Sequence, residues 1–482
     1  MQPYFAFGPL HLLVLPCFRH GLVILVVNLF GTLLPPCSAQ QPTASLSGGW
    51  GFSVVNCGPG AVYLTGTNSQ GQLGDGMTTN VHVPQADMTG SVVRIAAAGQ
   101  AFTLFLLADS TVMATGRNAE GQLGIGSNLD QITPQSVPGL NNVIAIAGGF
   151  RHALFLLSDG TVRACGQNIE GALGDGTNVS SNVPVQVAID SVVAIAGGED
   201  FSLFLRADGS VLSCGGNGYG RLGTGDPGNR NTPAPVLLPG PASAIVAGRG
   251  QALFLVNDSV WASGWDSWGQ IGFGGNSSYN NPPMKLSTIG GVVAMGAGEL
   301  HSAYLLNDGH VWVTGGGGQG QLGTGLNSDT NVPVEVPGLT DVIAIACGDR
   351  HTLFLKDDLS LLACGYNGQG QLGDSTTLDR WTPTPMALSC ASSTEMPELV
   401  PARTLSVYPN PSAGPITVDL SAFRPGNVSI RLINAQGRIL LDGRSCSKGT
   451  TCSIDLTDIP AGLYMLELTD HDSQQLVMII RD

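Results

Sequence analysis

The sequence predicts an all-β chain, a seven-bladed β-propeller followed by a small antiparallel β-sandwich. Three observations predict it. A glycine motif recurs seven times at spacings of 49 to 51 residues, the signature of a solenoid, propeller or array. Glycine makes up 68 of the 482 residues and charged residues only 11%, against about 7% and about 25% in typical soluble chains. Between the glycine motifs, short apolar runs alternate with turn signals, and no helical periodicity is sustained.

The seven motifs are GTNSQGQLGDG from Gly66, GRNAEGQLGIG from Gly116, GQNIEGALGDG from Gly166, GGNGYGRLGTG from Gly215, GWDSWGQIGFG from Gly264, GGGGQGQLGTG from Gly315 and GYNGQGQLGDS from Gly365. A proline follows each middle glycine by 13 residues: Pro84, Pro134, Pro184, Pro233, Pro282, Pro333 and Pro383. Upstream of each motif lie two strand-like segments, clearest in IAIAGGFRHALFLLSDGTVRACG (144–166), where Asp159-Gly160 marks a hairpin turn. Asp208-Gly209 and Asp308-Gly309 mark the same turn in other copies. The first repeat is degenerate but aligns without gaps as SGGWGFSVVNCGPGAVYLTG (47–66). One such unit cannot bury both faces of its sheet, whereas seven packed radially can, leaving short edges. An open β-solenoid is the alternative, and it favours shorter repeats.

Gly318-x-Gly320-x-x-Gly323 also matches the glycine fingerprint of dinucleotide-binding folds. That fingerprint needs a strand before it, a helix after it and an acidic residue about 20 positions on. Here Asn and Pro follow, and every repeat carries the motif, so the glycines read as tight turns between blade strands. Leu73, Leu123, Leu173, Leu222, Leu322 and Leu372, with Ile271, are then expected to plug the gap to the next blade.

With G-x-N-x-x-G-Q-L-G preceded by AGGxxHxLFLxxDGxV, residues 43–390 resemble the regulator of chromosome condensation repeat family. The resemblance implies a seven-bladed propeller, often closed by strands from both termini; the segments around 43–48 and 386–389 are the candidates here. Fold does not fix function. The family's eukaryotic namesake serves a nuclear GTPase, a role that an acidic, exported chain disfavours. Its plant ultraviolet-B photoreceptors use clustered tryptophans, whereas the six Trp here are scattered. Secreted bacterial β-lactamase inhibitors of the same family use one propeller face as a protein-binding surface, the nearest analogue in setting.

The two ends concern export. Arg19 and His20 precede the apolar run 21–34, and small residues follow to a plausible cut near Ala39, so residues 1–39 read as a signal peptide. A membrane anchor is the alternative, but 14 apolar residues are short for a span needing about 20. Residues 391–402 are small, polar and Pro-containing, and read as a linker. Alternating segments in 403–482 then predict the sandwich. Tyr408-Pro409-Asn410-Pro411, the 434–437 turn ending in Gly437, Pro460-Ala461-Gly462-Leu463-Tyr464 and the terminal 477–481 strongly resemble the C-terminal sorting domain of the bacterial type IX secretion system. The chain ends Arg481-Asp482, where that family often ends in basic residues. The resemblance implies that the outer-membrane translocon is a partner and that the protein is secreted or displayed on the outer cell surface.

Cys446 and Cys452 flank a short turn between extended arms and are the expected disulfide of an exported chain. Six further cysteines, from Cys57 to Cys390, read as small buried residues, there being no Cys-x-x-Cys. No metal site and no cofactor are expected: the GDG turns at 74–76 and 174–176 offer one Asp each, too few for calcium.

A net charge of −15 and the absence of basic runs argue against nucleic acid. No hydrolase, protease or P-loop motif is present. His152, His301 and His351 share a repeat position with Phe52, Phe102, Phe201 and Gln251, an exchange that points to packing rather than catalysis. Glu199, Asp200 and Asp349 read as loop charges, and the sequence gives no carboxylate separations with which to test glycoside cleavage. The sharper candidates are departures from the repeat: Tyr219, Trp265, Trp268, Tyr279, Arg380 and Trp381, residue types that dominate interfaces. They are expected to bind an extracellular protein or glycan partner, or else to wedge the blades apart. Extracellular polysaccharide hydrolysis or lysis, and a purely structural adhesion role, are the competing readings; two facing carboxylates of raised pKa in the central depression would favour catalysis.

Overall fold

The structure is a computed structural model. It describes residues 45–58, 60–87, 89 and 93–390, and of the C-terminal region 407–408, 415–419, 428–434, 439–446, 451–457, 459–460, 462–469 and 474–481. The expected signal peptide and linker, and Pro409, Asn410, Pro411 and Gly437, lie outside the described residues. The chain divides into two compact units, Met1–Ser392 and Ser393–Asp482.

The first unit contains seven four-stranded antiparallel sheets, each built from consecutive strands. Blade 1 runs Ser45–Gly48, Phe52–Asn56, Val62–Gly66 and Val81–Ala86. Blades 2 to 7 repeat this over 93–136, 143–186, 192–235, 242–285, 292–335 and 342–389. The first strands of successive blades touch in a ring, which closes where Val342–Cys347 of blade 7 meets Ser45–Gly48 of blade 1.

The second strand of each blade explains the radial packing. Phe102–Leu107 is buried along its whole length because both faces of the sheet are covered. Alternate side chains serve opposite neighbours: Phe102, Leu104 and Leu106 join Phe155 and Cys165 of blade 3. Phe105 joins Val54 and Leu64 of blade 1. At about 1.5–3 kcal/mol per buried large apolar side chain, these inter-blade layers dominate the stabilisation.

The glycine motif builds the loop between the third and fourth strands. In blade 3 the Asn168 Oδ1 accepts from Leu173 N at 2.9 Å, while its Nδ2 donates to Asp175 Oδ1 at 3.1 Å and to the Val179 carbonyl at 3.2 Å. Gly171 has φ +89°, and a Cβ there would lie 2.6 Å from Asn231 Cα of blade 4. The glycine is thus required both by its backbone and by the strand of the next blade passing over it. Leu173 is fully buried against Val192 and Phe204 of blade 4, the plug expected from the sequence. The repeated proline packs on the tight turn of the preceding blade, as Pro233 does on Gly174. In blade 5 that place belongs to Pro283, against Gly223, and not to Pro282, because the loop there is one residue longer.

Closure of the ring differs from the expectation. Neither terminal segment crosses into another blade: Ser45–Gly48 is the innermost strand of blade 1, and Arg380–Ser389 the outermost of blade 7. A disulfide between Cys57 and Cys390, 333 residues apart, staples blade 7 to blade 1 instead. Those two cysteines are therefore not the simple buried thiols expected. Cys165, Cys214 and Cys364 are free and buried, and Cys347 is free and half-buried.

The second unit has two sheets. Val407–Tyr408, Ile416–Asp419 and Thr451–Ile454 form one. Ile439–Cys446, Val428–Asn434, Gly462–Thr469 and Gln474–Arg481 form the other, in that order. Ile416, Val418 and Ile454 of the first sheet share a core with Ile430, Leu432 and Leu466 of the second. Tyr464 pairs with Asn434 across the sheet, and Gly462 with Arg481. Cys452 is disulfide-bonded; the side chain of Cys446 lies outside the described residues.

Candidate functional site

Antiparallel strands place the first-to-second and third-to-fourth loops of every blade at the same end of the propeller. The second-to-third turns lie at the other end. The exposed aromatic side chains among the described residues are Trp50, Tyr219, Trp268, Tyr279 and Trp381. All five sit in, or at the start of the strand after, loops of the first kind. The opposite end carries tight polar turns, where Asp159 and Asp208 accept from the hydroxyls of Thr161 and Ser210.

At the centre of the loop face, one residue after a recurrent glycine varies from blade to blade: Trp50, Gln100, Phe150, Glu199, Arg249, Glu299 and Asp349. These surround the mouth of a channel of about 480 Å³ walled by the first strands. A charge network spans four blades. Arg249 pairs with Glu199 at 3.1 Å and also with Glu299. Arg350 reaches Glu299 at 3.0 Å and Asp349 at 3.6 Å, and Arg221 reaches Glu199 at 3.3 Å. The Arg249 guanidinium also lies 5.6 Å over the Phe150 ring. Burial pushes the Asp349 carboxyl up to about 6, against the opposing pull of Arg350 and Arg249. Burial raises Asp200 too, opposed by Arg221. Asp200 is not among the residues lining the channel, and Glu199 and Glu299 are bridged by one arginine. Of the three carboxyls at the channel mouth, Glu199 and Glu299 are thus held by Arg249, and Asp349 lies beside Arg350.

The aromatic candidates fall into two groups. Tyr219 of blade 4 stacks on Trp265 of blade 5, ring centroids 5.4 Å apart. The Trp265 indole donates to Ser267 Oγ at 2.8 Å. Trp268 and Tyr279 stand exposed in the same blade 5 loop, with the Tyr279 hydroxyl accepting from Asn281 at 3.2 Å. Blade 7 holds the other two. Arg380 is occupied within its own blade, its Nε donating to Asp374 at 2.7 Å, while Trp381 is exposed nearby. The structure therefore stacks Tyr219 on Trp265, sets Trp268 and Tyr279 on the same blade 5 loop, and leaves Arg380 and Trp381 on a separate blade. Of the channel-mouth residues the sequence singled out Glu199 and Asp349, as loop charges, and missed Trp50, Gln100, Phe150, Arg249 and Glu299. Their signal is a column that varies beside a constant glycine.

The histidines latch the blades. The Ser202 hydroxyl donates to the Ala172 carbonyl at 2.7 Å, so His152 Nε2 is the donor in the 2.9 Å contact with Ser202. His301 bonds Thr352 and His351 bonds Ser53 in the same way, at 2.8 and 2.9 Å. Burial lowers their pKa values to about 4 for His152 and His351 and about 3 for His301. In the GDG turns, Asp75 and Asp175 are taken up by Asn68 and Asn168 of their own loops. Among the described residues no group of three or more His, Cys, Asp or Glu is placed to hold a metal.

The repeated positions build a closed seven-bladed ring, and the exposed aromatics among the described residues lie at its loop end. The model for the RCC1-like domain matches residues 143–400, more than half of the chain, and that for the regulator of chromosome condensation (RCC1) repeat matches 59–106 and 109–156. The chain belongs to the family of RCC1-like domain proteins. Residues 406–481 match the secretion system C-terminal sorting domain. That domain directs export through the type IX system to the bacterial cell surface or the medium. Among solved structures, human WBSCR16 is 26% identical over 68% of this chain and 94% of its own, with a TM-score of 0.63. Yeast RCC1 (Prp20) bound to Kap60 is 22% identical over 68% and 84%, with a TM-score of 0.61. Prp20p from Saccharomyces cerevisiae, described with its binding properties to Gsp1p and histones, is 23% identical over 68% and 86%, with a TM-score of 0.60. The two yeast likenesses show the fold alone. No curated protein sequence matches the chain.

Proposed function

We propose that the exported propeller is a non-catalytic binding module that engages an extracellular protein or glycan through its loop face. The observation that carries this is the gathering of the exposed aromatics at one end of the propeller. Trp and Tyr offer large contact area at small conformational cost, which makes them interface anchors. The charge network beside them fixes its arginines and carboxylates in place, giving a preorganised polar surround. The sorting domain is read by the translocon through the Tyr408–Pro411 and Gly462–Tyr464 motifs, with Cys446–Cys452 bracing its turn. No GTPase or nucleic acid is a partner in this reading.

The test is affinity capture from cell-surface and medium fractions with the exported protein. Tyr219→Ala/Trp268→Ala is compared with Ala108→Arg/Ala207→Arg, which alters exposed turns at the opposite end. A partner retained by wild type and by the second variant, and lost by the first, is expected. Equal capture by both variants contradicts the assignment of the face.

A further inference from the structure

The seven blade junctions share one loop geometry, so a junction that departs from the others marks a site. At the junction of blades 4 and 5, Tyr219 covers Trp265. The equivalent pair where blade 7 meets blade 1 is Gln369 and Thr67. The column that holds Arg151 and Arg350 in other blades is Gly51 in blade 1. Gly51 has φ +73°, and a Cβ there would meet Thr67 Oγ1 at 2.6 Å. Small residues in both columns leave an open cavity of about 440 Å³, within the roughly 300–1,000 Å³ of small-ligand sites.

Its walls have a particular chemistry. Trp50 and Tyr366 supply ring faces, and Gln319, Gln369, Asp349 and Arg350 supply polar groups. Trp50 is 51% exposed, and its backbone N–H donates to the Gln100 carbonyl at 3.1 Å. Asn80 donates to Gln369 Oε1, which orients that amide. Arg350, the one cation in the lining, is paired through Nε with Glu299 and Asp349, so carboxylates offset its charge. Amides both donate and accept, as hydroxyls do. An exposed indole beside the oriented Gln369 amide, the unpartnered Gln319 side-chain oxygen and a carboxyl matches a ring with one C–H face and vicinal hydroxyls.

We propose that the junction of blades 7 and 1 is a binding site for a neutral saccharide, one sugar ring stacking on Trp50 with its hydroxyls on the glutamine amides and Asp349. The proposal rests on the loop face being the binding surface and adds the class of ligand that one part of it takes.

The test uses the exported protein and a fixed panel: glucose, galactose, mannose, N-acetylglucosamine, maltose, cellobiose and lactose. Binding is read by saturation-transfer NMR and titration calorimetry. At least one sugar is expected to bind, with affinity falling more than about tenfold in Trp50→Ala and in Thr67→Trp. The second substitution fills the cavity with the residue blade 5 carries at the same position. Gln369→Ala, a milder change, is expected to weaken binding, and Ala108→Arg, in an exposed turn at the opposite end of the propeller, to leave it unchanged. Unaltered circular dichroism separates loss of binding from loss of fold. No binding by any sugar of the panel, or binding indifferent to both Trp50→Ala and Thr67→Trp, overturns the proposal. Macromolecular capture is measured with the same variants: capture retained where no sugar binds sinks the saccharide site and leaves the loop-face reading standing.

Discussion

His152, His301 and His351 show how one side chain couples neighbouring blades. Each is neutral, and each donates to a hydroxyl whose own proton is committed to a backbone carbonyl. Nδ1 of His301 and of His351 is buried without a partner, so a second proton would sit unsatisfied. The folded pKa values, about 3 to 4, lie below the ordinary 6.5. Below pH 6.5 the unfolded chain takes up protons that the folded chain refuses. The stability these groups provide is therefore fully present above about pH 6.5 and lost as pH falls towards 4. Burial acts oppositely on Asp266 and Asp349, both raised to about 6, which favour folding below that pH and offset part of the loss. His152→Phe places here the residue that blades 1, 2 and 4 carry. It is expected to flatten the acid limb of the stability curve, measured by denaturant unfolding between pH 7 and 4.5; an unchanged limb contradicts this account. The exchange of His with Phe was readable as packing. The hydrogen bond was not, because its partner lies about one repeat further on, although a Ser/Thr column stands in register there.

The loop of the glycine motif is the element most fully legible in the sequence, because seven copies separate what is constant from what varies. Asn168, Gly171 and Leu173 each do in the structure what a tight inter-blade turn demands. Blade 5 breaks the register. One added residue moves its proline from the assigned Pro282 to Pro283, and Asp266 replaces the motif asparagine, with one buried oxygen unpartnered. That same blade carries Trp265, Trp268 and Tyr279, so the irregular loop coincides with the aromatic cluster. Gly171→Ala tests the scaffold part of the argument. It adds a Cβ at positive φ, 2.6 Å from the backbone of blade 4, and is expected to cost about 1–3 kcal/mol in denaturant unfolding. Gly275→Ala, with nothing within 4 Å and no positive φ, is the control and is expected to change little.

At the scale of the whole molecule, the number of blades was legible and the means of closing the ring was not. Repeat spacing fixes seven sheets, but Cys57 and Cys390 stand outside the repeated columns and 333 residues apart. Their bond ties the two chain ends of the propeller in place of an exchanged strand. In the chain-entropy picture a long closed loop gives one of the larger disulfide contributions, about 2–5 kcal/mol. Cys57→Ser/Cys390→Ser is expected to lower the melting temperature and to abolish the effect of reductant on propeller unfolding. A reductant effect that survives in the double variant contradicts that role.

The central claim, that one end of the propeller is the binding face, is tested most directly by oxidative footprinting of the exported protein with and without the surface fraction that retains it. The account predicts protection in loop peptides 49–51, 216–229 and 265–281, and unchanged labelling in turn peptides 107–111, 157–161 and 206–210. Protection confined to the turn peptides, or absent from every loop peptide, contradicts it.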